Sequence, residues 1–200
     1  KPGEPDWDDA RLPRADDESL ELPSTTHFSI VDSQGNAVSI TSTIENGFGS
    51  RLMTQGFLLN NELTDFSFRD QKDGKPIANR VEPGKRPRSS MSPTIVLKDD
   101  KPVLVVGSPG GSRIIGYVAK TIIAHLDWGM DIQRAISTPH LVNRFGKFDV
   151  EAGTAAADMA PALESLGFEV VVRNLNSGLH GIVITEDGLQ GGADPRREGV

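Results

Sequence analysis

Ser24-Thr25-Thr26-His27-Phe28-Ser29-Ile30-Val31-Asp32 decides how this chain is read. A strand-like run begins abruptly at two threonines, after a segment of quite different character. A threonine at the head of a strand can be a nucleophile if the bond before it is cut, because the freed α-amine can then act as its base. β-Branched residues also fit a pleated, half-buried surface, so the pair alone describes an ordinary strand start equally well. The rest of the chain must decide between the two.

Residues 1–24 hold eight acidic residues against three basic ones, which is five of the seven net negative charges of the 200-residue chain. They also carry Pro2, Pro5, Pro13 and Pro23 and little apolar material beyond Trp7. Such a composition reads as a linker or terminal arm. The body from Thr25 to residue 200 is nearly neutral and has no basic nucleic-acid footprint. Apolar content is 36%, somewhat lean for a self-sufficient core. The absence of cysteine excludes disulfides, thiolate metal sites and thiol nucleophiles. No apolar run is long enough to span a bilayer.

Working outward, His27–Asp32 and Ala37–Thr43 are β-rich runs around Ser33-Gln34-Gly35-Asn36, which predicts a hairpin. Phe57–Asn60 is a short apolar run with strand character. Residues 68–88 are polar, contain three prolines, and read as a long surface loop of the kind that often carries function. Thr94–Leu97 and Val103–Val106 predict two strands around Asp99-Asp100-Lys101. Ile114, Val118, Ile122 and Leu126 make a helical stripe, and Gly129 is placed to end it. Asp131 predicts the cap of a second helix, stopped before Pro139. Ala160–Leu166 predicts a third, ended by Gly167. Phe168–Arg173 and His180–Thr185 predict two further strands. Hairpins beside packed helices imply a layered α+β architecture.

Three segments bear chemistry. Gly107-Ser108-Pro109-Gly110-Gly111-Ser112 joins a strand to a helix, where backbone N–H groups point outward and glycines permit close approach. Arg113 follows without the Gly-Lys-Ser/Thr of a phosphate loop. An oxyanion hole or a plain tight turn remains. Arg86-Pro87-Arg88-Ser89-Ser90-Met91-Ser92-Pro93 clusters hydroxyls beside arginines, fit to hold a carboxylate or to form an ordinary polar loop. Leu59-Asn60-Asn61-Glu62-Leu63-Thr64-Asp65-Phe66 sets Glu62 and Asp65 on one side of a turn. There they can bind an ammonium, act as an acid–base pair, or be solvated. No histidine pair accompanies them, so a metal site is disfavoured.

Together, and in this order, Thr25-Thr26-His27 and these three segments resemble the γ-glutamyltransferases (γ-glutamyl transpeptidases). The closing Asp194-Pro195-Arg196 fits the same pattern. The resemblance implies an enzyme with a stacked αββα N-terminal-nucleophile hydrolase fold, of which this chain supplies about half. It further implies a precursor that cuts itself between Ser24 and Thr25. Residues 1–24 are then the tail of a large subunit, and residues 25–200 the small, catalytic one.

Carried over by position, Thr25 is the nucleophile and Thr43 tunes it. Glu62 and Asp65 hold the α-ammonium of a γ-glutamyl donor, Ser89 and Ser90 its α-carboxylate, and Gly110 and Gly111 supply the oxyanion N–H groups. Glu45 stands where many members carry asparagine against the donor's α-substituents. That departure keeps a glutaryl-amide acylase of cephalosporin type in play. The implied partners are the large subunit, with its carboxylate-binding arginine, and a water, amino-acid or peptide acceptor. No cofactor or metal is implied. The expected location is the bacterial periplasm or the exterior. The isolated fragment is expected to be an uncleaved, inactive module.

Overall fold

The computed structural model describes residues 24–144 and 146–199. Of the acidic arm expected at the N-terminus, all but Ser24 lies outside the described residues.

Strands β1 (Thr25–Val31) and β2 (Ala37–Thr43) form an antiparallel hairpin in which Thr25 faces Thr43 and Val31 faces Ala37. Asp32 closes its turn by accepting from the N–H groups of Gln34 and Asn36 at 2.8 and 2.9 Å, and Gly35 takes φ 85°. The strand begins two residues before the expected His27, because Thr25 and Thr26 pair with Thr43 and Ser42. Two miniature hairpins follow: β3 (Met53–Thr54) with β4 (Phe57–Leu58), and β5 (Gln71–Lys72) with β6 (Lys75–Pro76). The second sits inside the long polar loop.

Strands β7 (Thr94–Lys98) and β8 (Lys101–Gly107) pair antiparallel around Asp99 and Asp100, both at positive φ. Helix α1 (Ile114–Leu126) ends three residues before Gly129. Helix α2 (Ile132–Ser137) is capped by Asp131, whose side chain accepts from the Arg134 N–H at 2.9 Å.

The next strands, β9 (Leu141–Arg144) and β10 (Lys147–Glu151), are not foreseen from the sequence. Helix α3 (Ala160–Ser165) then crosses to β11 (Glu169–Arg173), which lies parallel to β10. These form a three-stranded sheet ordered β11-β10-β9. Strands β12 (His180–Thr185) and β13 (Gly188–Ala193) complete an antiparallel sheet ordered β13-β12-β8-β7.

This four-stranded sheet is the centre of the molecule. Helices α1 and α2 pack against β8, β12 and β13, while the β1–β2 hairpin packs against β7, β8 and β12. Successive strand residues point to opposite faces. Leu104, Val106 and Val183 thus join Ile114, Tyr117, Ile132 and Ile136 in the apolar core. On the opposite face Gly107 leaves space for the His27 ring: a Cβ there would lie 2.2 Å from His27 Cε1.

The hairpin is inverted relative to an ordinary surface ribbon. Its sheet-facing side chains are polar. His27 Nδ1 lies 2.8 Å from Thr41 Oγ1, and Ser39 Oγ donates to the Val106 carbonyl at 3.2 Å. Its apolar side chains point away: Phe28, Ile30, Val38 and Ile40 are between 39% and 50% exposed. Helix, sheet and hairpin give three successive layers of the expected αββα stack. Among the described residues nothing covers the outer face of the hairpin.

Candidate active site

Thr25 heads β1 and is 8% exposed. Arg197 Nη1 donates to its carbonyl at 3.2 Å, which holds the backbone of the strand start. Thr43 stands opposite at the end of β2. Thr43 Oγ1 accepts from the Glu45 N–H at 2.9 Å, so its hydroxyl proton remains available to donate. Glu45 takes φ 70°, a left-handed conformation that folds its carbonyl back to accept from Ser24 Oγ. The residue before the expected cut is thereby tied to the turn that follows Thr43.

The acidic turn is braced to this strand end. Asn61 N–H donates to the Ile44 carbonyl, and Asn61 Oδ1 accepts from the Asn46 N–H at 2.9 Å. Asn60 Oδ1 accepts from the Glu62 N–H at 3.0 Å, an Asx turn that starts the single 3-10 turn Glu62–Asp65. The two asparagines thus have a mechanical purpose.

Asn79, which the sequence does not single out, spans the site. Its Nδ2 donates to the Asp65 carbonyl at 2.6 Å, and its Oδ1 accepts from the Arg88 N–H at 2.9 Å. It therefore ties the acidic turn to the serine segment. Arg197 is the other functional contact that no local pattern signals.

The glycine segment lies between β8 and α1. Gly110 and Gly111 adopt φ 137° and 62°, open to glycine at little strain. One 3-10 turn, Gly111–Arg113, then leads into the helix. Arg113 Nε and Nη2 both donate to Asp149 Oδ2 at 2.7 Å, fixing the end of the loop to β10.

These segments enclose one pocket. Thr25 and Thr43 form one part of its wall, Glu45, Glu62 and Asp65 a second, and Ser89, Ser90 and Gly111 a third. Arg88, Met91, Ser112 and Ile114 complete it. The fold thus gathers nearly every expected site residue, with Gly110 adjoining Gly111 in the chain and Ser24 adjoining Thr25.

The acidic wall is electrostatically crowded. Burial, then the neighbouring Asp65 and Glu45, raises Glu62 to about 7. Its Oε1 is buried without a hydrogen-bond partner. A cation is the natural complement to three facing carboxylates. The histidines serve structure. Burial, and then His180, lowers His27 to about 4, so its ring is neutral between the sheets. Among the described residues no cluster of His, Cys, Asp or Glu is arranged to hold a metal ion, and no helix is long and apolar enough to cross a membrane.

Comparison with known proteins places the chain in a family. The glutathione hydrolase proenzyme of Bacillus subtilis (strain 168) is 42% identical over 182 residues, covering 88% of this chain and 30% of the relative. That of Escherichia coli (strain K12) is 40% identical over 189 residues, covering 88% of this chain and 32% of the relative. The chain therefore spans about a third of the length of these relatives.

Among solved structures, a mutant gamma-glutamyltranspeptidase of Helicobacter pylori superposes with a TM-score of 0.75 at 40% identity. That match covers 86% of this chain and the whole of the other. A cephalosporin acylase of Bacillus halodurans superposes with a TM-score of 0.74 at 27% identity, over 87% of this chain and 33% of the other. The layers are those of the N-terminal-nucleophile hydrolases. A sequence model described as Gamma-glutamyltranspeptidase matches residues 4–200, almost end to end, and the chain belongs to that family.

Proposed function

We propose that this chain is the small-subunit region of a longer γ-glutamyl-transferring hydrolase that cuts itself between Ser24 and Thr25. The observation that carries the proposal is the position of Thr25. It heads a strand opposite Thr43 and lines one pocket with three carboxylates, two serines and Gly111. A γ-glutamyl donor has one ammonium and one carboxylate remote from its reacting carbonyl, and such charges need partners when buried. Glu62, Asp65 and Glu45 suit the ammonium. Ser89 and Ser90 suit the carboxylate, together with an arginine from the large subunit.

After the cut, the Thr25 α-amine, with a reference pKa of about 8, takes the proton from Oγ1. Oγ1 bonds to the γ-carbonyl carbon, and the carbonyl oxygen becomes an oxyanion facing the Gly110 and Gly111 N–H groups. The C–N bond then breaks, and the leaving amine takes the proton back from the α-amine. Water, or the amine of an amino acid or peptide, attacks the remaining ester in the same way and restores Thr25.

The large subunit is the natural cover for the hairpin's outward Phe28, Ile30, Val38 and Ile40. Apolar surface of this kind marks an interaction face. Export from a bacterial cell is part of the same proposal and rests on the family likeness alone. A glutaryl-amide acylase is the second reading, favoured by the likeness to the cephalosporin acylase. The three-carboxylate wall argues for the ammonium-bearing donor instead, because a glutaryl group brings no positive charge to it.

The test is Thr25→Ala in the full-length parent. One hydroxyl serves both steps, so the precursor stays uncut and hydrolysis of a γ-glutamyl anilide is lost. Thr25→Ser retains part of each. Two subunits on a gel from Thr25→Ala would overturn the cut site.

A further inference from the structure

Behind the glycine loop runs a buried chain of hydrogen bonds that the chemistry above does not use. Its members, His140, Ser177 and Asp194, are 0%, 0% and 2% exposed. His140 Nε2 lies 2.6 Å from Ser177 Oγ, and Ser177 Oγ lies 2.5 Å from Asp194 Oδ2.

The donor directions follow from proton counting. An ionised carboxylate only accepts, so Ser177 spends its single proton on Asp194. His140 Nε2 must then carry its own hydrogen and donate to Ser177. The ring is neutral, since burial first and the nearby Lys120 and Arg196 second lower it to about 2. Asp194 Oδ2 also accepts from the Leu179 N–H at 3.0 Å, and Oδ1 accepts from Arg196 N–H and Nη1, each at 3.0 Å. Ser177 and Leu179 are therefore pinned to one carboxylate.

The pinned segment is the floor of the glycine loop. Between its two anchors, Gly178 N–H donates to Ser108 Oγ at 3.2 Å, and Ser108 Oγ donates to the Pro109 carbonyl at 2.6 Å. A Cβ on Gly178 would fall 2.6 Å from Pro109 Cγ, so the Pro109 ring packs directly on the Gly178 backbone. His140 reaches the loop by a second route as well. Its ring centroid lies 4.2 Å from that of Tyr117, and Tyr117 Cε2 would be 2.7 Å from a Cβ on Gly110.

We propose that Ser177 is a positioning residue for the reaction. By joining His140 to Asp194 it sets the height of residues 176–178, and through Ser108 and Pro109 it aims the Gly110 and Gly111 N–H groups. The proposal rests on the oxyanion role proposed for that loop. Displacements of about 1 Å in a catalytic constellation can lower rates about a hundredfold.

The experiment uses the mature full-length enzyme. Ser177→Ala lowers kcat at least tenfold and leaves KM within twofold. A boronic-acid analogue of the donor, whose tetrahedral boronate occupies the oxyanion position, loses affinity in parallel, while free glutamate does not. His140→Gln keeps an N–H donor at the reach of Nε2 and retains most of kcat, whereas His140→Leu loses it. That pair decides the matter if Ser177→Ala does not mature.

A fall in melting temperature with unchanged kcat per active site would overturn the proposal. Gly110→Ala, measured in parallel, separates the two layers of inference. An unchanged kcat there sinks the oxyanion reading itself. A reduced kcat there, with Ser177→Ala and His140→Leu unaffected, sinks only the positioning role.

Discussion

The Asp149 carboxylate accepts from Arg113 Nε at 2.7 Å and so ties strand β10 to the residue that ends the glycine loop. Both side chains are largely buried, at 7% and 15% exposure. A buried pair of this kind adds little net stability over an apolar replacement of both partners, but breaking it strands the survivor. Asp149→Leu in the full-length enzyme is therefore expected to destabilise it by about 3–5 kcal/mol. Urea unfolding of the variant beside the parent checks this, and a loss below 1 kcal/mol would mean that Arg113 finds water or another acceptor.

Gly107 couples the central sheet to Thr25, the proposed nucleophile. A methyl group there would lie 2.2–2.6 Å from the His27 ring, two residues from Thr25 on the same strand. His27 is 3% exposed, and any shift of its ring gives up its contacts with Thr41 and Ser29. Overpacking of this kind typically costs about 1–3 kcal/mol. Gly107→Ala is expected to lower the melting temperature and also kcat, since relief of the clash moves β1. A variant with parental kcat would show that the strain is absorbed away from Thr25.

The parts of the fold that could be read from the sequence are those with local causes. The α1 stripe from Ile114 to Leu126 follows from apolar spacing, and the Asp131 cap from its place before a helical run. Strand β13 escapes detection because Gly-Leu-Gln-Gly-Gly-Ala has almost no strand propensity; its register comes from β12. The β9–β10 hairpin is short, and its connection Phe145-Gly146 is not one of the Asn-Gly, Asp-Gly or Gly-first pairs that mark a tight turn in a sequence. The hairpin's polarity is equally hidden. Alternation in Phe28-Ser29-Ile30 states that two faces differ, but not that the polar one meets the central sheet and the apolar one looks outward.

The site follows the same division. Its motif residues stand out as groups, while Asn79 and Arg197 do not. Asn79 acts through one amide placed between two loops, Arg197 through one guanidinium reaching back across 172 residues, and neither leaves a local pattern.

The proposed function has Asp65, in the pocket wall, read the donor's ammonium through a charge-assisted hydrogen bond. Asp65→Asn keeps the shape and removes the charge. γ-Glutamyl donors should weaken by about 1.5–3 kcal/mol, the range for hydrogen bonds to charged groups. A glutaryl donor lacks the ammonium and should lose little or gain. The quantity to measure is the ratio of kcat/KM for the two donors in the mature enzyme. An equal fall for both would reassign Asp65 to holding the fold, leaving the ammonium to Glu62 and Glu45.

The acidic wall also predicts a pH dependence. Glu62 is raised to about 7 because burial, Asp65 and Glu45 all disfavour its charged form. Below that pH it is neutral and the wall presents one negative charge fewer to an ammonium. Above it the charge is complete. For a γ-glutamyl donor kcat/KM therefore rises from pH 6 to pH 8, and this parameter reports the free enzyme. The α-amine that the proposed cut would free on Thr25 has a reference pKa of about 8, but it would act on every donor alike and cancel in the ratio of γ-glutamyl to glutaryl kcat/KM. That ratio is expected to climb roughly tenfold or more with a midpoint near 7, the gain of one charged partner. Glu45→Gln removes one of the charges that raise Glu62, so the midpoint should move down. A ratio flat across this range would place the ammonium away from Glu62, and a midpoint unmoved by Glu45→Gln would leave burial and Asp65 as the whole cause of the shift.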